Sequence, residues 1–165
     1  MKYLFFILLL TQSFLFCKGQ GITYIQCYND SFVLDTDGEP NIFIEPTIEP
    51  TFKGSIAAWD KYIKINISWR NIVKSLPRSL KFLEDSVIMK FVVSKKGYLS
   101  NLEILYSGND AIKEEAIRVL KMSCSKWQSA YSSGGTPINS WHIEKIYFLW
   151  DNRNEKLRTL VGSKL

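Results

Sequence analysis

The sequence predicts an α+β fold: a small two-layer domain with an antiparallel three-stranded sheet in the order β-β-α-β, a preceding helix and an extended N-terminal hairpin region. Three observations predict it. "VIMKFVV" from Val87 is apolar and β-branched, and after "SKKG" comes "YLSNLEILY", which alternates with Leu102, Ile104 and Tyr106 on one face. Two such runs about a short turn read as an antiparallel hairpin. "SGNDAIKEEAIRVLKMSCSKW" then reads as a capped helix, and "WHIEKIYFLW" from Trp141 as a last long strand. A sheet of this kind buries one face under a helix.

The elements follow in chain order. Residues 1–19 have a basic residue at Lys2 and an apolar run from Leu4 to Phe16, with Cys17 and Gly19 at the −3 and −1 positions of a cleavage site before Gln20. That is the pattern of a secretory signal peptide. An uncleaved membrane anchor and lipid attachment at Cys17 are the rival readings. A spanning helix needs about 20 apolar residues, and this run is shorter and broken by Thr11, Gln12 and Ser13. Residues 20–48 form a strand-rich segment, with a turn at Asp37-Gly38 between two extended runs. "DTDG" lacks the further oxygen ligands of a calcium loop. The prolines of "IEPTIEPT" favour an edge or linker.

Residues 49–150 make up the main domain. Ser55 is placed to cap a helix whose Ile56, Trp59, Ile63 and Ile67 form an apolar stripe. Trp69, Ile72, Val73 and Leu76 continue a helical pattern up to Pro77, which ends or bends it. In the later helix Asn109 or Asp110 is the cap, and Ile112, Ala116, Val119 and Leu120 are the buried stripe. Residues 151–165 read as a polar, frayed tail.

The order and spacing of these pieces resemble the TonB C-terminal domain family, in the compact form common in Gram-negative bacteria. The resemblance covers Glu49 to Leu149. It is carried by Pro50, Phe52 and Gly54 ahead of the first helix, Gly97 in the hairpin turn, and Glu115, Ala116 and Trp127 in and after the long helix. Gly135, Pro137 and Ile138 lead into the last strand. Where the family has a Tyr-Pro pair, this chain has Leu76-Pro77, and neither an evident anchor nor a long proline-rich linker is present. The resemblance implies an exported, non-enzymatic module, periplasmic, that pairs by strand addition with an outer-membrane receptor or other envelope protein. A link to receptor-mediated transmembrane transport and a homodimer are further implications. The alternative is a minimal energy transducer anchored in the inner membrane by its uncleaved leader; a lipid anchor is a further alternative for its location.

The residues themselves point the same way. Whole-chain charge is +5, two of the cations lie in the leader, and no basic stripe suggests nucleic acid. Once the leader is cleaved, stable membrane insertion is not expected. Glu114 and Glu115 are adjacent and point about 100° apart on a helix, unlike the facing acids of a hydrolase. His142 is the single histidine, too few for a metal site with two cysteines. No cofactor, metal or catalytic group is therefore expected, although a small exported enzyme using Cys124 or His142 remains as a third reading. Cys27 and Cys124 are the candidate disulfide in an oxidising compartment. The resemblance further implies a strand edge that a partner segment joins, and the last strand, long and apolar with a charge in it, suits it, which makes Ile143, Lys145, Tyr147 and Leu149 the candidate partner-binding edge. Its placement inside the sheet is the competing arrangement.

Overall fold

A computed structural model describes residues 42–151 and 156–162. The chain runs β1 (Ile42–Phe43), β2 (Thr51–Phe52), α1 (Ile56–Asn66), α2 (Trp69–Ser75), β3 (Phe82–Val93) and β4 (Leu99–Ser107). It continues through α3 (Asp110–Met122), β5 (Trp127–Gln128), β6 (Ala130–Tyr131), β7 (Pro137–Asp151) and β8 (Lys156–Gly162).

The fold is α+β, but its main sheet is larger than the three antiparallel strands expected, and it is mixed. β4, β3 and β7 lie side by side and antiparallel, as the β-β-α-β reading requires. β7 then carries β1 in parallel and β6 and β8 in antiparallel pairing. β2 and β5 make a separate two-stranded ribbon.

Local chemistry accounts for the helices. The Ser55 side chain accepts from the Ala58 N–H at 3.1 Å and starts α1. Trp59, Ile63 and Ile67 are buried as the stripe predicts, while Ile56 faces water. α2 stops at Leu76 because Pro77 follows, and β3 begins at Phe82, five residues before the run that announced it. Asn109 accepts from the Ala111 N–H at 2.8 Å, so it is the cap of α3. Ile112, Ala116, Val119 and Leu120 are all fully buried.

These helices cover one face of the sheet, against Val87, Met89 and Phe91 of β3 and Ile146 and Phe148 of β7. Each such side chain contributes about 1.5–3 kcal/mol on leaving water. An aromatic cluster closes one end. Trp127 lies 5.7 Å from Phe52, 5.2 Å from Trp59 and 5.3 Å from Phe91 between ring centroids.

The tail is the clearest departure. Residues 151–165 read as frayed, yet Lys156–Gly162 is a strand paired with Lys145–Asp151. Thr159 is buried and Val161 packs on the core, with the exposed Leu160 between them. That alternation is what a half-buried strand requires, and the surrounding basic residues obscure it. The N-terminal segment before Ile42, including Cys27 and the Asp37-Gly38 turn, lies outside the described residues.

Candidate functional site

The four residues expected at an open edge stand elsewhere. β3 pairs with β7 along its length, and β8 pairs with it from Lys145 to Asp151. Lys145, Tyr147 and Leu149 therefore belong to an interior strand, with backbone groups engaged on both sides. Ile143 is opposite Lys90 of β3 and lies between the stretches taken by β1 and β8. The edge was claimed by the tail, whose pairing is invisible in the β7 sequence itself.

What these residues share is a face. His142, Glu144, Ile146 and Phe148 point to the helix side and are buried, while Trp141, Ile143, Lys145, Tyr147 and Leu149 point away. Ile143 and Tyr147 are each 39% exposed. The Lys90 ammonium sits 4.1 Å from the Trp141 ring centre, and the Lys145 ammonium 4.5 Å from that of Tyr147. Cations over ring faces attract at this range. Lys90 also pairs with Glu103 of β4 at 3.4 Å.

The edge of the sheet on the other side is β4. Among the described residues no strand pairs with its outer side. Two register shifts interrupt its pairing with β3, one between Ile88 and Met89 and one between Lys90 and Val92. Met89 is opposite Ile104, but Ile88 is opposite Tyr106, so Leu105 is the extra residue. This bulge turns Tyr106 away from the core, against the expected alternation, and leaves it 50% exposed beside the exposed Leu105. Asn101, at φ 51°, marks the second irregularity. Bulges of this kind re-aim side chains and protect an edge from indiscriminate pairing.

Part of the motif set, Phe52, Gly97 and Trp127, meets away from that edge. Gly97 has φ 82°, and a Cβ there would collide with the Trp127 carbonyl oxygen. Gly54 at φ 81° precedes the cap of α1 beside Gln128, and Pro50 and Phe52 are buried nearby in sequence. Pro77 opens a turn by accepting from the Leu80 N–H at 2.9 Å, and Pro137 is exposed at the start of β7. Phe52, Gly97 and Trp127 thus brace one structural corner. Cys124 is half-buried and disulfide-bonded, whereas Cys27 lies outside the described residues.

Two ionisable clusters occupy the helix side. Glu115 accepts from the Ser68 N–H at 2.5 Å, from Asn71 at 3.3 Å and from Arg118 at 2.6 and 2.9 Å. Arg118 also donates to the Asn66 carbonyl at 2.6 Å. Burial pushes the Glu115 carboxyl up, but donation from Arg118, Ser68 and Asn71 outweighs it and holds the pKa below the ordinary value. The cluster ties the junction of α1 and α2 to α3. Its geometry is that of a clamp, since every partner belongs to the chain. The second cluster is His142 with Glu144, whose Nε2 and Oε1 are 2.9 Å apart. Among the described residues no group of three or more His, Cys, Asp or Glu side chains could hold a metal, and no helix is long and apolar enough to cross a membrane.

Comparison with known proteins finds no relative: no family model, no curated protein and no solved structure matches the chain.

Proposed function

We propose that the chain is an exported, non-enzymatic binding module, comparable to the TonB C-terminal domain, that acts at the periplasmic side of the outer membrane. It takes an extended segment of an outer-membrane receptor or another envelope protein as an added strand. The observation that carries this reading is the terminal position of β4, whose outer backbone groups pair with no described strand. Main-chain hydrogen bonds would supply adhesion there, and the half-exposed Leu105 and Tyr106 would supply selectivity. The bulges restrict regular pairing to a short matched segment. The envelope setting and the link to receptor-mediated transport rest on the leader pattern and the order of the motifs.

The test is photo-crosslinking in living cells from probes at Leu105 and Tyr106, with a probe at the buried Phe148 as control. The expected result is a discrete adduct with one envelope protein from the β4 positions and none from Phe148. An absence of adducts from β4, with adducts from Tyr147 alone, would move the binding surface to the open sheet face.

A further inference from the structure

The sequence from Lys61 to Leu83 holds six cations, Lys61, Lys64, Arg70, Lys74, Arg78 and Lys81, and no aspartate or glutamate. A whole-chain charge of +5 averages this run away. It covers the later part of α1, all of α2 and the loop into β3. Ile63, Ile67 and Ile72 turn inward to the core, so helical spacing sends Lys61, Lys64, Arg70 and Lys74 to the outer surface of the helix layer. All six cations are exposed. Ile65 and Val73 stand among them, 69% and 37% exposed.

Little on the protein itself answers these charges. Lys64 pairs with Asp60 at 2.6 Å. The other five form no ion pair among the described residues. Glu115, which reaches the junction of α1 and α2 from α3, is buried and committed to Arg118, Ser68 and Asn71. A surface that serves solubility alone mixes both signs, because one sign gathered on one side repels itself. The sheet does mix them, with Lys90 of β3 set against Glu103 of β4 at 3.4 Å.

We propose that the outer surface of α1, α2 and the loop after them docks reversibly on a lipid leaflet rich in anionic phospholipids. The cations meet headgroup phosphates, each worth roughly a fivefold gain in affinity near the surface. Ile65 and Val73 enter the boundary between headgroups and acyl chains. Nucleic acid offers the same phosphate charge, but single strands are held by exposed rings on which bases stack. Here the rings of Tyr62 and Trp69 pack on the core, and the exposed apolar groups are aliphatic. The contact is peripheral, since both helices keep their buried stripes in the core and only side-chain ends reach lipid. It calls on no residue of the β4 rim, so it stands whether or not a strand is added there.

Vesicle flotation of the full chain tests this, with phosphatidylcholine and phosphatidylglycerol mixed roughly two to one in about 0.05 M salt, where screening is weak. The wild type should float with these vesicles, be released at about 0.5 M salt, and stay unbound with phosphatidylcholine alone. Arg70→Gln/Lys74→Gln should weaken partitioning roughly tenfold or more, and Ile65→Ser/Val73→Ser about threefold or more. Lys96→Gln/Arg158→Gln removes the same charge from the β3–β4 turn and β8, and should change partitioning less than about twofold. Unfolding curves of the three variants should match the wild type, since every substituted side chain is exposed. No flotation of the wild type with the mixed vesicles, or an equal loss from the Lys96 and Arg158 pair, would overturn the proposal. Retention on polyglutamate or duplex DNA in place of flotation would assign the surface to an acidic macromolecule and overturn it as well.

Discussion

The two faces of β7 differ sharply in burial. On one, Ile146 and Phe148 are fully buried beneath helices. On the other, one residue away along the same strand, Ile143 and Tyr147 are more than a third exposed, and Tyr147 has the Lys145 ammonium over its ring. The first face fixes the fold and is intolerant of change. The second is partly exposed and tolerates polar substitution, and under the proposed function it borders the β4 rim that would take a partner. A strand that alternates at period two can serve both ends without conflict.

Substitutions at neighbouring positions separate the faces most sharply. Phe148→Ala should destabilise by about 3–5 kcal/mol through lost burial and a cavity, whereas Tyr147→Ala should cost less than about 1 kcal/mol; urea unfolding of the pair checks this. Glu115→Gln comes next, at about 2–4 kcal/mol, because it leaves Arg118 and the Ser68 N–H with weaker partners. The same site sets an acid limb. A depressed carboxylate contributes stability that is full above the unfolded pKa of about 4.3 and is lost as pH falls through the lower folded value. Melting curves between pH 5 and 2 should therefore fall more steeply for the wild type than for Glu115→Gln. Asn109→Ala follows, at about 1 kcal/mol for loss of the α3 cap, measured by the same unfolding curves, with Tyr147→Ala below it.

How much of this was legible depends on how local each signal is. The cap at Asn109, the α3 stripe, the hairpin about Gly97 and the stop at Pro77 are written within a few residues, and the structure has them there. The place of β7 in the sheet is not local. It depends on β8, whose Thr159 and Val161 alternation is masked by basic neighbours. Strict alternation puts Tyr106 on one face with Leu102 and Ile104, and the bulge at Leu105 reverses it; a bulge is a property of the pair of strands, not of either one. Helical spacing already sets Glu115 beside the buried stripe and Glu114 toward water, but the role of Glu115 is not written there. Only the arrival of Ser68 and Asn71 from the junction of α1 and α2 makes Glu115 a buried clamp.

The central claim is that the rim of β4 recruits an envelope protein while the buried face merely holds it in place. Partner capture from cells by a Leu105→Lys/Tyr106→Lys chain, compared with wild type at equal folded concentration, tests it most directly, because lysines blunt an edge without touching the core. The account predicts capture reduced roughly tenfold or more, equivalent to about 1.4 kcal/mol of binding, with unfolding curves unchanged. Undiminished capture by that folded variant would contradict it.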